Sequence, residues 1–175
     1  MTLITEEYRT LNRELHASRP DYGAGSAKWA PQVNDLAKVI GAKTVLDYGC
    51  GKGGLGLALS HLLMTGYDPA VAGHEETPEP ADLVICTDVL EHIEPECLEE
   101  VLDDLRRCTL KGVFLTIATR PAKKFLADGR NAHLIQEPMT WWLPKIWSRW
   151  DLRLVQATPE EFAAFSLAMM NGAVR

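Results

Sequence analysis

Gly49, Gly51 and Gly54 stand at G-x-G-x-x-G spacing directly after the apolar pair Val45-Leu46, with Asp47 between the apolar run and the first glycine. Glycines at this spacing let a ligand approach the main chain, and a helix that follows offers unpaired N–H groups. Taken alone, the spacing fits the pyrophosphate of a dinucleotide. Asp47 changes that expectation: a carboxylate two residues before the first glycine repels a pyrophosphate at close range but attracts the ammonium of an amino-acid ligand. Asp68, in Gly66-Tyr67-Asp68-Pro69, follows Gly51 by 17 residues and closes the next apolar stretch. A carboxylate there accepts both hydroxyls of a ribose and repels a 2′-phosphate; taken in isolation it is an ordinary turn residue.

A third cluster runs Ala81-Asp82-Leu83-Val84-Ile85-Cys86-Thr87-Asp88-Val89-Leu90-Glu91-His92. Open α/β sheets bind ligands at the C-terminal ends of their strands, which places Thr87, Asp88 and Val89 beside the ligand. Glu91 and His92 admit two readings, an acid favoured in the first turn of a helix or a catalytic pair. The fourth cluster, Asp128-Gly129-Arg130-Asn131-Ala132-His133, gathers an acid, a guanidinium, an amide and an imidazole within six residues. His133 is the first candidate for a general base and His92 the second, because imidazole titrates near neutrality. A histidine bonded to its own loop is the competing reading for His133. His16, His61 and His74 are assigned to the surface or to packing.

The run Val45-Leu46-Asp47-Tyr48-Gly49-Cys50-Gly51-Lys52-Gly53 resembles the first motif of the class I S-adenosylmethionine-dependent methyltransferases, two hydrophobic residues followed by Asp-x-Gly-x-Gly-x-Gly. Asp82-Leu83-Val84 and Val89-Leu90-Glu91-His92-Ile93 are similar to that family's fourth-strand segment. The resemblance spans residues 40–170 and implies S-adenosylmethionine (SAM) as cofactor and S-adenosylhomocysteine (SAH) as product. It places Asp47, Gly49, Cys50, Gly51, Asp68, Pro69, Thr87, Asp88 and Val89 around the cofactor. One departure matters: only 13 residues separate Asp68 from Asp82, where the family usually has a full helix and a third strand. The adenine pocket is therefore expected to be shallower or assembled differently. Gly129-Arg130-Asn131-Ala132-His133-Leu134-Ile135, with Pro138 and Trp141-Trp142 after it, also resembles a subset of small bacterial and phage methyltransferases.

Methyl transfer from a sulfonium needs in-line placement of the acceptor, exclusion of water and, for a hydroxyl or amine, a base. Substrate contacts are expected from the loops above the strand ends, Ser18–Trp29 with Tyr22, and Arg120–Glu137 with Arg120, Arg130 and Asn131. Arg120, Lys123, Lys124 and Arg130 suit an anionic acceptor or simply a solvated loop. Trp141 and Trp142 cannot share one helix face; one belongs to the core, and Trp142 is taken as the substrate-side candidate. An Asn/Asp-Pro-Pro-Tyr/Phe tetrapeptide and a Pro-Cys dipeptide are missing, which marks down nucleic-acid bases as acceptors. A small molecule, a sugar and a protein side chain remain, in that order. Two other functions stay open, an inactive SAM-binding regulatory or partner subunit and an NAD-dependent oxidoreductase.

These clusters require an α/β scaffold with strand-like and helix-like segments in alternation. Helices are predicted over 3–17, over 27–40 with Gly41 ending it, from the glycine cluster through Leu62, over 93–108 with Pro95 in its first turn, and over 139–149 with a kink or late start at Pro144. Strands are predicted over 43–47, 64–67, 82–87, 111–119, 151–157 and 162–169. The fold class is a Rossmann-like open, mostly parallel sheet with flanking helices and an antiparallel last strand, shortened after the second strand. The 120–137 loop is long enough to expect a function.

A chain of 175 residues, 46% hydrophobic, closes one core, so one domain over 1–175 is expected, with 1–41 as a helical cap and 42–175 as the SAM-binding core. A net charge of −6 argues against general affinity for nucleic acid or anionic membrane. Residues 53–105 contain thirteen acids and no Lys or Arg, a pattern that ordinarily marks a solvated helix face. The N-terminus lacks the features of a secretory signal, and no apolar run approaches membrane-spanning length. Cys50, Cys86, Cys97 and Cys108 show no zinc spacing. A cytoplasmic protein with reduced thiols and no metal, monomeric or homodimeric, is expected.

Overall fold

The computed structural model describes residues 2–19, 22 and 25–169. Six strands form one sheet: β1 Thr44–Tyr48, β2 Leu63–Tyr67, β3 Ala81–Thr87, β4 Thr109–Ala118, β5 Trp150–Ala157 and β6 Glu161–Ala168, in the order β2-β1-β3-β4-β6-β5. The first four are parallel, and β6 runs antiparallel to both β4 and β5. Helices are α1 Glu6–Ser18, α2 Ala30–Val39, α3 Gly54–Ala58, α4 Leu98–Cys108 and α5 Met139–Trp147. Short 3₁₀ turns cover Gly25–Trp29, Leu90–His92 and Pro95–Cys97.

The apolar run of β1 is buried throughout from Val45 to Tyr48 because helices cover both of its faces. Val45 packs with Val33 and Ala37 of α2 and Leu55 of α3. Leu46 and Tyr48 point the other way, to Leu102 and Leu105 of α4 and Trp142 and Ile146 of α5. Chain direction across the sheet reverses at β1, from which β2 lies on one side and β3 on the other. Such a switch point opens a crevice at the C-terminal strand ends.

The Asp68–Asp82 connection, which holds Pro69, Pro78 and Pro80, forms neither helix nor strand. That leaves β2 as an exposed edge, with Leu63 68% accessible. The helix after the glycines stops at Ala58 although leucines continue, since the chain must turn back within four residues to start β2. Pro95 opens a 3₁₀ turn and α4 starts only at Leu98, later than the apolar periodicity indicates. Gly41 adopts φ +60° just past α2, as its helix-ending role requires. Pro144 lies inside an otherwise continuous α5.

α1 is not part of the sheet packing. Its Tyr8 and Leu15 cluster with Leu126 and Ala132 of the loop that follows β4. Thr5 caps α1 by accepting the Tyr8 N–H at 3.2 Å, and donates its own hydroxyl to Glu94 Oε1 at 2.7 Å. The Thr5 N–H reaches Glu94 Oε2 at 2.8 Å. α1 and the 120–134 loop thus form a roof pinned to the end of β3. Of the predicted 18–26 loop, Pro20, Asp21, Gly23 and Ala24 lie outside the described residues.

The acidic stretch is used for packing as much as for solvation. Arg149 meets Glu99 at 2.8 Å and Asp103 at 2.7 Å, and Lys145 meets Glu99 at 2.5 Å, tying α5 to α4.

Trp142 belongs to the core, which corrects its assignment to the substrate. It is 0% accessible and donates Nε1–H to Glu137 O at 3.2 Å, whereas Trp141 is 36% accessible. Trp142→Ala is expected to cost about 3–5 kcal/mol of stability in denaturant unfolding, the range for large aromatic deletions, and Trp141→Ala under about 1 kcal/mol.

Candidate active site

A cavity of about 440 Å³ opens where β1, β2, β3 and β4 end, bounded by Tyr48, Asp68, Thr87 and Ala118 and roofed by Tyr8 and Asn12 of α1. This falls within the ~300–1,000 Å³ of small-molecule sites.

At the glycine end, Gly49 has φ +82°, and a Cβ on it would lie 2.3 Å from Val89 Cγ2. Only glycine fits on both counts. The N–H groups of Gly49 and Cys50 donate to Tyr67 O at 2.7 and 3.0 Å, lashing the loop to β2. Asp68 completes the lashing: Oδ2 accepts Gly51 N–H at 3.1 Å and Oδ1 accepts Ala70 N–H at 2.9 Å. Gly49, Gly51, Asp68, Pro69, Thr87, Asp88 and Val89 all line the cavity.

Two expected contacts sit behind that wall. Cys50 is buried against Gly66, and its thiol is pushed up to about 12 by burial and the nearby Asp47 and Asp68. Asp47 is 3% accessible, with Oδ2 lacking any hydrogen-bond partner. Burial, and then the Asp68 charge, raise its carboxyl to about 7. Thr87 Oγ1 is also buried without a partner. Orphaned polar atoms and a cradle closed to any Cβ fit a polar ligand: an ammonium over the loop would offset the Asp47 charge through it, and ribose hydroxyls would take the remaining lone pairs of Asp68. The donor set therefore fits the cofactor expected from the sequence. Asp88 adopts φ +56°, uncommon outside glycine, while its N–H donates to Thr116.

At the other end lie Tyr22, Glu91, His92, Arg120 and His133. His133 Nδ1 is 2.6 Å from Arg120 O and His92 Nδ1 is 2.7 Å from Ala132 O. A carbonyl only accepts, so both Nδ1 atoms carry hydrogen and both Nε2 atoms keep a lone pair. Burial lowers both imidazoles, His92 to about 3, and leaves them neutral. Glu91, 0% accessible, sits in the first turn of the Leu90–His92 3₁₀ segment, but its side chain turns across to β4 and accepts Ala118 N–H at 2.9 Å through Oε1. Its Oε2 has no partner.

Arg130 and Asn131 are not at the cavity, a second correction. Arg130 pairs with Asp128 at 2.6 Å over the Tyr8 ring, and the Asn131 amide is spent on Ala122 N–H and O, both at 2.9 Å. They shape the loop that presents His133. His61 is exposed and His74 half-buried, both away from the cavity. His16 instead joins the lining with Tyr8 and Asn12. The three are spaced i, i+4, i+8 on one face of α1, and Asn12 interrupting an apolar stripe was the available signal.

Residues 21–157 match the family described as a methyltransferase domain. The chain belongs to this methyltransferase family. Among solved structures, the methyltransferase resembles the Burkholderia thailandensis 1,6-didemethyltoxoflavin-N1-methyltransferase bound to 1,6-didemethyltoxoflavin and SAH, with TM-score 0.68, 15% identity and coverage of 97% of this chain and 93% of that one. It also resembles DhpI in complex with SAH, with TM-score 0.65, 16% identity and 94% and 98% coverage. The magnesium protoporphyrin IX methyltransferase of Synechocystis PCC 6803 with bound SAM gives TM-score 0.64, 15% identity and 96% and 100% coverage. At these identities the likeness is one of fold. No curated protein matches the chain significantly. No described helix is long and apolar enough to cross a membrane.

Asp47 yields a stability test. Its folded value of about 7 lies above the unfolded 3.8, so its contribution is intact below the unfolded value, is lost as pH rises toward 7, and is flat above. The thermal midpoint of ligand-free Asp47→Asn should gain on wild type between pH 4 and pH 7 and hold that gain at pH 8.

Proposed function

We propose that the methyltransferase binds SAM in this cavity and passes its methyl group to a small-molecule acceptor, sugars included, held under the roof of α1 and the 120–137 loop. The observation that carries this reading is the two-ended cavity, with buried acids and a glycine cradle at one end and neutral, lone-pair-bearing groups at the other. The acceptors named for the toxoflavin and protoporphyrin neighbours are small molecules, which agrees with a roofed cavity of this size.

Bound SAM supplies a methyl carbon made electrophilic by its sulfonium. Asp68 receives the ribose hydroxyls on the lone pairs that Gly51 and Ala70 leave unused, and Asp47 offsets the ammonium from behind the loop. Gly49 keeps the space in front of Val89 open. The roof, held by Thr5–Glu94 and Tyr8–His92 hydrogen bonds, excludes water and fixes the acceptor in line. His92, His133 and Glu91 face the acceptor with lone pairs, suited to a hydroxyl rather than to an anion. Arg120, paired with Glu160 at 3.2 Å, lies at the rim with Lys123 and Lys124.

Calorimetry with SAH tests the cofactor end. Asp68→Ala should weaken binding about 10–100-fold, the ~1–3 kcal/mol of hydrogen bonds to a charged group, and should erase the preference for a ribose over a 2′-deoxyribose ligand. Unchanged affinity removes Asp68 as the ribose acceptor, and tight NAD binding without SAM binding would overturn the reading. Turnover is assayed as labelled methyl transfer from SAM to hydroxylated metabolites.

A further inference from the structure

Glu91, His92 and His133 form a group that a single proton-transfer role does not account for. A carboxylate oxygen of Glu91 and one ring nitrogen from each histidine lie within 4.8 Å of one another. The two rings stand 4.7 Å apart at 89°. Both Nδ1–H groups are committed to main-chain carbonyls: His92 Nδ1–H to Ala132 O, His133 Nδ1–H to Arg120 O. The one N–H that Glu91 accepts, from Ala118, is taken by Oε1, leaving Oε2 fully buried and unpartnered. With both Nδ1 atoms committed, the two Nε2 lone pairs and Glu91 Oε2 are the atoms left to meet a ligand between the three side chains. Leaving the buried Glu91 Oε2 unmatched is costly, and one general base would need one imidazole, not two at right angles with an acid.

We propose that Glu91, His92 and His133 bind a divalent first-row transition-metal cation, which takes the hydroxyl oxygen of the methyl acceptor as a further ligand. The three side chains are two neutral imidazoles and one carboxylate, the set that leaves open coordination positions for substrate. Each has the brace that metal ligands characteristically carry. Both imidazoles donate their second nitrogen to a backbone carbonyl, which fixes tautomer and ring plane, and the carboxylate is fixed by a backbone N–H. Two imidazoles select a transition cation over magnesium or calcium, which favour oxygen-only shells. One anionic ligand against a doubly charged cation leaves a net positive charge, and that charge lowers the pKa of a ligating hydroxyl. Asp88, which lines the same cavity and pairs with Lys28 at 3.4 Å, is the nearby acid able to join the shell.

This deepens the methyl-transfer reading and rests on it. The acceptor's O–H proton leaves to bulk solvent at the mouth of the cavity, and an oxygen lone pair forms the bond to the methyl carbon. The carbon–sulfur bond breaks with its electrons kept by sulfur, so the sulfonium becomes a neutral thioether and the metal keeps its oxidation state. The expectation of no metal, drawn from cysteine spacing, missed the site because its third ligand is 41 residues beyond the Glu91-His92 pair and reaches it only through the loop after β4.

The test titrates the metal-free protein with Mn²⁺ and Co²⁺, with and without SAH. Wild type should bind one ion, with nitrogen hyperfine coupling on Mn²⁺ and visible ligand-field bands for Co²⁺. Glu91→Gln keeps an oxygen for Ala118 N–H, and His133→Gln keeps a polar group of similar reach. Each should weaken ion binding at least 10-fold while SAH affinity stays within about 3-fold. Absence of ion binding in protein that binds SAH overturns the metal site and leaves the methyl-donor reading standing. Ion binding equally tight in both variants, or without nitrogen coupling, places the ion elsewhere and also overturns it. Failure to bind SAH or SAM, with an ion bound, overturns the methyl-donor reading instead.

Discussion

Burying a carboxylate without a partner is among the most expensive things a small protein does, and this chain does it at two neighbouring strand ends. Asp47 at the end of β1 and Glu91 just past β3 each keep one oxygen with no hydrogen-bond partner. Asp68, at the end of β2, avoids that cost by accepting two backbone N–H groups. Those N–H groups belong to Gly51 and Ala70, so the same contact sets the shape of the glycine loop. The site's organisation follows: the lashed acid at the β2 edge, the two acids with unpartnered oxygens at β1 and past β3, and a cavity along these strand ends whose occupant must supply positive charge and hydrogen-bond donors.

Economy elsewhere makes room for this. A polar connection with three prolines replaces a helix and strand after Asp68, and β2 is left as an edge. The lost enclosure is offset by α1, which lies outside the sheet layers and closes over the strand ends through its own small cluster with Leu126 and Ala132. Asn131, spent on Ala122, and Arg130, paired with Asp128, stiffen that loop so that His133 is held at a fixed angle to His92. Residues that looked like substrate contacts are therefore braces.

The cofactor end was legible in the sequence because its chemistry is local. Positive-φ glycines, a strand-end acid and the next strand-end acid all lie within 22 residues, from Asp47 to Asp68, and the glycines and Asp68 each have a backbone reason for their identity. The mostly parallel sheet with an antiparallel last strand followed from the same alternation, whereas the order of the strands across the sheet did not. The acceptor end was only half legible: His92 and His133 were singled out, but their convergence with Glu91 depends on where a long loop lands. Nothing local separates Trp141 from Trp142, since two adjacent aromatics differ only in helix phase. The roof escaped notice for a related reason, because Tyr8, Asn12 and His16 face a loop whose path the sequence does not specify.

Asp47 is the point at which the account is most exposed. Raised to about 7 by burial and the Asp68 charge, the Asp47 carboxyl returns toward its ordinary value once a cation sits over the glycine loop, so binding must expel its proton wherever the ligand-free protein holds one. Calorimetric titration with SAH in buffers of differing ionisation enthalpy counts that proton. The account predicts release of roughly one proton at pH 6, almost none at pH 8, and none at either pH in Asp47→Asn. Binding with no proton released at pH 6, or release unchanged by that substitution, would contradict it.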